Sequence, residues 1–161
     1  MMKREISAET ALNRLAAMCS RSEHCEADVR RKLADWGLDA ASADGIVRRL
    51  VSERYVDDAR YAHAYVCDKF RFNRWGRVKI AYMLRGKGIA ADVIALALEE
   101  IDAADYAATL SQLLRDKWRE VCRRDPDKAR AALLRFAAGR GFEPADAVRA
   151  VNEIMRCDND D

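Results

Sequence analysis

The chain of 161 residues carries 29 basic and 27 acidic side chains, so its formal net charge is only +2. Half of it is hydrophobic, yet only 12 residues are aromatic while 29 are alanine, and Gly (7) and Pro (2) are scarce. That balance excludes a sandwich or barrel, which needs frequent turn residues and many β-branched or aromatic positions. It also excludes a disordered or collagen-like chain, leaving a mainly helical protein with one to three small cores.

Met1-Met2-Lys3-Arg4-Glu5 is basic, but no apolar run of seven or more residues follows, so no export signal is expected. No stretch approaches the ~20 apolar residues of a membrane span. Cys19, Cys25, Cys67, Cys122 and Cys157 are odd in number and lack CxxC spacing, so they read as free thiols of a reducing compartment, with the cytosol as the expected address. Cys19, His24 and Cys25 lack a fourth ligand at sensible spacing, and no metal or cofactor is expected.

The predicted helices come in three sets. An opening helix is expected at about 8–21, 58–71 and 104–123, each followed by a pair of shorter helices. Within the pairs, Gly37, Gly88 and Gly141 lie 51 and 53 residues apart, and each is followed by an apolar residue, Leu38, Ile89 or Phe142. Nine residues beyond these come Val47, Leu98 and Val151, and twelve beyond come Leu50, Ile101 and Ile154. This register predicts an all-α chain of three tandem three-helix repeats, 1–56, 57–102 and 103–156, forming an elongated, curved modular array with an acidic tail at 157–161. Each glycine suits the left-handed position just after a helix. Ser7 and Asp57 suit N-caps, Asp58 suits a first turn, and Asp125-Pro126 and Glu143-Pro144 place proline at the first helical position.

Adjacent Asp57 and Asp58 could suggest an acid/base pair, but neighbours at a helix start point about 100° apart, so capping is the expected role. Arg60 lies within reach of these carboxylates and is expected to order the start of that helix. His63, among alanines, reads as a bystander. Arg85-Gly86-Lys87-Gly88 is not a phosphate loop, because the glycines end a helix where a phosphate loop opens one. Two histidines assemble no nucleophile triad, so no catalytic residue is assigned and a non-enzyme is expected.

Charges are mixed everywhere except between Lys69 and Gly88. Seven cations stand there without an acid: Lys69, Arg71, Arg74, Arg77, Lys79, Arg85 and Lys87. Phe70, Phe72, Trp75 and Tyr82 are interleaved with them. On a helical wheel for 77–87, Ile80, Met83 and Leu84 form the expected inward stripe, and Lys79, Tyr82 and Arg85 the outward face. Cations around an aromatic can neutralise phosphates and stack on a base, whereas the ordinary alternative is a solvated face. Arg30, Arg31, Lys32, Arg48 and Arg49 form a weaker basic group, and Trp36 and Trp118 read as core.

The run Arg30-Arg31-Lys32-Leu33, the phrase 55–61 (YVDDARY) and Lys87-Gly88-Ile89, with Arg71, Gly76, Ile80 and Leu84 between them, resemble the RecX family of bacterial recombination regulators. The likeness extends over about residues 10–156 and is most specific in the middle third. Cys25 stands where that family often has Ser or Thr, so a weakened cap is expected there, and the connection 71–76 is about one residue longer than is common. The resemblance implies three helical repeats and a monomer that binds the filament of the RecA recombinase on single-stranded DNA, with weak duplex binding at most and no membrane partner. It further implies inhibition of filament growth, ATP hydrolysis and strand exchange, and hence a part in DNA repair and the SOS response. The candidate filament- and DNA-binding residues are then Lys69, Arg71, Arg74, Arg77, Lys79, Tyr82, Arg85 and Lys87. The alternatives are a helical regulator acting directly on DNA without RecA, and a pure protein adaptor.

Overall fold

The computed structural model describes residues 6–160. Met1–Glu5, where the export-signal question arose, and Asp161 of the acidic tail lie outside the described residues. Nine helices and no strand occur among the described residues: α1 (Ala8–Arg21), α2 (Glu26–Asp35), α3 (Ala40–Ser52), α4 (Asp58–Arg71), α5 (Arg77–Gly86), α6 (Ala91–Leu98), α7 (Ala103–Val121), α8 (Pro126–Gly139) and α9 (Pro144–Asn159). The expected opening helices match α1, α4 and α7, with α7 starting one residue earlier and ending two earlier than the periodicity suggested. Among the described residues no helix is long and apolar enough to cross a membrane.

The repeated glycines share one local geometry. Gly37, Gly88 and Gly141 have φ of 82°, 75° and 91°, the left-handed region that penalises a Cβ. At each, the glycine N–H donates three residues back, to Ala34, Arg85 or Ala138, and the next N–H donates five back, to Leu33, Leu84 or Ala137. These paired bonds close the last carbonyls of α2, α5 and α8 in the same way. The apolar residue after each glycine then covers the helix end, with Ile89 and Phe142 buried and Leu38 packed against a core.

Packing groups the chain into two compact units, Met1–Ala64 with Leu84–Ala97, and Tyr65–Met83 with Leu98–Asp161. In the first unit, α1 and α2 both pack on α3. Their apolar spacing buries Ala11, Leu15, Val29, Leu33, Ile46, Val47 and Leu50 with Val56, and Trp36 lies partly buried against them. Ser7 caps α1 by accepting from Thr10 N (3.1 Å), and Asp57 caps α4 by accepting from Arg60 N (3.0 Å). Cys25 at the start of α2 makes no side-chain cap bond. Asp58 supplies one from elsewhere in the chain, its Oδ1 accepting from Glu26 N at 2.9 Å. The two carboxylates that could have read as an acid/base pair therefore close two different helices. Arg60 orders its surroundings as expected, but through Glu23 (2.6 Å) and the Arg54 and Tyr55 carbonyls.

Burial decides the chemistry of Cys25. Its side chain is wholly enclosed, and its thiol donates weakly to the Lys87 carbonyl (3.9 Å). Burial pushes that thiol up to about 11. His24 Nε2 meets Ser22 Oγ at 2.9 Å, and no group of three or more potential metal ligands gathers among the described residues.

In the second unit, α7, α8 and α9 pack on one another and bury Leu110, Leu114, Val121, Ala129, Leu133, Ala137 and Val151. Alanines at 129, 132, 137 and 147 allow close helix approach. The connection between α4 and α5 is fastened to the turn between α8 and α9. Gly76 N donates to Arg140 O (2.8 Å) and Val78 N to Gly141 O (2.9 Å). A Cβ on Gly76 would strike the Gly141 carbonyl and Phe142 N, and one on Gly141 would strike the Cβ and N of Lys79. Backbone thus meets backbone at this seam.

Two measurements check these readings. In urea titrations, Gly76→Ala and Gly141→Ala each lower stability by ~2 kcal/mol or more, because backbone cannot yield as a side chain can. Gly45→Ala, in α3 with open space around it, raises stability by about 0.5–1 kcal/mol. Asp58→Ala, which leaves Glu26 N–H uncapped, costs about 1 kcal/mol, and Asp58→Asn, which keeps the acceptor, costs less. Burial raises the Asp58 carboxyl above its usual range. Its share of stability is therefore complete below the unfolded value and declines as pH rises through the folded one, a dependence absent from Asp58→Asn.

Candidate nucleic-acid interface

The acid-free stretch runs from the last turn of α4, through the connection 72–76, along α5 to the glycine after it. Its residues from Lys69 to Met83 belong to the second unit, and Arg85 and Lys87 to the first.

Within the second unit the stretch is held by a small polar cluster. Tyr106, buried in the first turn of α7, donates its hydroxyl to Glu143 Oε1 (2.6 Å) and accepts from Arg77 N (3.0 Å). The Arg77 guanidinium lies 3.9 Å from the centre of the Tyr106 ring and pairs with Glu143 at 3.0 Å. Two of the first N–H groups of α5, which no helix can satisfy internally, are thereby bonded by Tyr106 and by Gly141. Glu143, at the N-cap of α9, makes no cap bond because its carboxylate is used here. Phe70 stacks on Tyr106 with ring centres 5.9 Å apart, and Phe142 packs tilted against it at 5.0 Å. Arg140 reaches from the α8–α9 turn to the carbonyls of Asn73 and Arg74.

The other cations of the stretch in this unit, Lys69, Arg71, Arg74 and Lys79, form no ion pair with a carboxylate among the described residues. Lys69 Nζ and Lys79 Nζ lie 5.0 and 4.4 Å from the centre of the Trp75 ring. Two ammonium groups at one indole repel each other, and an incoming anion would relieve that repulsion. Arg71 and Arg74 are exposed, and Arg74 sits at φ 54°, an uncommon left-handed conformation for a residue with a Cβ. Phe72 is 80% exposed and Tyr82 69%.

One wheel assignment is corrected. Ile80 and Leu84 are fully buried, but Met83 is 38% exposed and is not part of the inward stripe. Met83 stands about 100° round the helix from Leu84, at the edge of the buried stripe, while Lys79, expected on the outward face, is half-buried because its backbone lies against Gly141 at the seam. Val78 and Tyr82, four residues apart, share the solvent side.

In the first unit, Lys87 is paired with Asp28 at 3.2 Å, and Arg85 is exposed. The weaker basic group is largely neutralised. Arg30 holds Glu26 (3.1 Å) and Asp44 (2.6 Å), Arg31 approaches Asp28 (3.8 Å) and Arg49 pairs with Glu53 (3.1 Å), while Lys32 and Arg48 are simply exposed. Sequence pattern did not single out Tyr106 or Arg140, and it marked Glu143 only as the residue before a helix-opening proline. A glutamate before proline reads as a cap, and nothing in periodicity says that its carboxylate is needed elsewhere.

Comparison with known proteins identifies the family. The profile of the RecX second three-helix domain matches residues 57–98, which hold α4, α5 and α6. A regulatory protein RecX of Leptothrix cholodnii is 31% identical over 152 residues, covering 93% of this chain and 89% of that one. The chain belongs to the RecX family. A second RecX, from Clostridium perfringens, is 29% identical over 120 residues, and the alignment takes in 73% of this chain but only 56% of that longer relative. The crystal structure of RecX from Lactobacillus salivarius superposes with a TM-score of 0.84 over 92% of this chain and 96% of that one, at 16% identity. The all-helical repeat fold is therefore shared with RecX, and the acid-free stretch lies inside the segment that the RecX profile recognises.

Tyr106→Phe leaves Arg77 N–H and Glu143 each short of a partner, and is expected to cost about 2 kcal/mol in urea unfolding. Burial first, and then the bond to Glu143, push the Tyr106 phenol well above the usual tyrosine range. In an absorbance titration, Tyr106 is then expected to ionise later than a free tyrosine does, and Tyr106→Phe removes that late step. The stability it contributes is complete below about pH 10 and is lost as pH rises through the folded value.

Proposed function

We propose that this chain regulates the RecA recombinase by binding its filament on single-stranded DNA and limiting filament growth, ATP hydrolysis and strand exchange. The observation that carries this reading is the pair Lys69 and Lys79 on Trp75 with the exposed Arg71 and Arg74 on the same stretch, none of them ion-paired among the described residues, on a connection fastened at both backbone and side-chain level. Membership of the RecX family supports the partner, and the fixed positive charge supports contact with phosphates. In this reading the repeats 1–56, 57–102 and 103–156 act as three helical modules, of which the middle one carries most of the contact.

The contributions of the basic residues differ. Arg71, Arg74, Lys79 and Arg85 neutralise phosphate or acidic surface of the partner, with Lys69 reinforcing Lys79 across Trp75. Tyr82 offers a ring for stacking. Arg77 and Lys87, already paired with Glu143 and Asp28, position the stretch. Arg30, Arg31, Lys32, Arg48 and Arg49 contribute weakly, since three of them are already ion-paired. Occupying the filament groove would obstruct the incoming duplex or the next recombinase subunit. No catalytic residue is needed for this.

The deciding measurement is DNA-dependent ATP hydrolysis by RecA with substoichiometric amounts of the purified chain. The expected result is a reduced rate, and no effect at any ratio would remove the reading. The double substitution Lys79→Glu with Arg85→Glu is expected to weaken filament binding about tenfold and lower the slope of log affinity against log salt by ~1.4. Its circular dichroism should be unchanged. Unaltered binding at moderate salt would move the contact elsewhere on the chain. Tight duplex binding without RecA would favour direct action on DNA.

A further inference from the structure

Beside the basic connection, in the second unit, lies a groove of about 530 Å³ lined by Phe70, Arg71, Arg74, Asp105, Thr109 and Gln112. That size falls within the ~300–1,000 Å³ of ordinary small-molecule sites. Its two walls differ in chemistry. One carries the guanidinium groups of Arg71 and Arg74. The other is the outer face of α7, where Asp105, Thr109 and Gln112 follow one another at helical spacing. Gln112 uses one of its two amide hydrogens on Asp116 (2.9 Å), which leaves its carbonyl oxygen free to accept. With the Asp105 carboxylate, this second wall is rich in acceptors.

An anion alone would use only the arginine wall, and Asp105 would oppose it. A ligand that suits both walls combines a negative group with hydrogen-bond donors on its other end. We infer that the groove seats one nucleotide of a single-stranded chain, with its phosphodiester on Arg71 and Arg74 and its base edge toward Asp105, Thr109 and Gln112. This rests on the reading that the basic stretch meets DNA, and it adds a base preference to that reading. Cytosine presents an exocyclic amino donor, which carboxylates accept well, whereas thymine presents a carbonyl and a methyl group in its place. In a duplex these base edges are paired and stacked, so only an unpaired strand can insert one. An acidic peptide is disfavoured, because it brings further negative charge toward Asp105. The arginine wall is held ready, since Arg140 bonds the carbonyls of Asn73 and Arg74 and keeps Arg74 in its left-handed conformation.

The test is fluorescence anisotropy of the full chain with oligo-dC, oligo-dT and an abasic strand of equal length, at one moderate salt concentration. The expected result is dC bound at least threefold more tightly than dT, with the abasic strand no tighter than dT. Asp105→Asn, which adds an amide donor at nearly constant shape, should bring the dC:dT ratio to one or below. Asp105→Ala should abolish the preference without weakening dT. Equal affinity for dC, dT and the abasic strand would overturn the groove assignment, as would a dC preference that survives both substitutions. Tighter binding of a polyglutamate peptide than of any strand would overturn it in favour of a protein ligand. If Arg71→Ala with Arg74→Ala weakens all strands equally while Asp105→Asn changes nothing, only the groove assignment fails. If the arginine pair changes nothing either, the nucleic-acid reading falls with it.

Discussion

The second unit depends on a contact that involves almost no side chain. Gly76 and Gly141 bring two stretches of backbone so close that neither tolerates a Cβ, and the N–H groups of Gly76 and Val78 find their acceptors across that contact. The placement of the basic stretch in this unit follows from it. Because the backbone of Lys79 lies against Gly141, the first turn of α5 has a fixed rotation. Because α5 starts there, Arg77 N–H meets Tyr106, and the guanidinium of Arg77 falls on Glu143. The connection carrying Arg74 and Trp75 is then a rigid loop between two anchored ends.

This arrangement explains how a chain with almost no net charge can hold a strongly cationic patch. Acids are plentiful, but in the first unit they are spent on the other basic groups: Asp44 and Glu26 on Arg30, Glu53 on Arg49, Glu23 on Arg60. In the second unit, Glu143 neutralises Arg77 alone and stops there. Cations next to Trp75 are left to one another. Like charges held at fixed positions are unfavourable until an anion arrives, and a rigid mount prevents them from swinging away into solvent.

Much of this could be read from the residues, and the limits have physical causes. The three glycines at 37, 88 and 141 announced helix ends because only a left-handed backbone repeats so regularly before an apolar residue. Asp57, Ser7 and Asp125 announced helix starts through local bonds three residues long. What local pattern cannot encode is a bond whose partner lies far along the chain. Asp58 caps α2 rather than its own helix, Glu143 leaves its N-cap role to serve Tyr106, and Lys79 is half-buried because its backbone lies against a distant glycine. The acid-free stretch was visible from composition alone. The division of its residues into anchored Arg77 and Lys87 and unpaired Arg71, Arg74 and Lys79 was not.

The borrowed cap of α2 has a consequence for the order in which the chain takes shape as it is made. Synthesis proceeds from the N-terminus, and domains commonly begin to fold while later residues are still being added. When α1, α2 and α3 have emerged, the first N–H of α2 still lacks its acceptor, since Asp58 lies 32 residues further on. The carbonyl that receives the Cys25 thiol, that of Lys87, comes 62 residues after it. A nascent chain of the first three helices is therefore unfinished at the start of its second helix. It gains its final stability only once α4 and the residues after α5 have left the ribosome.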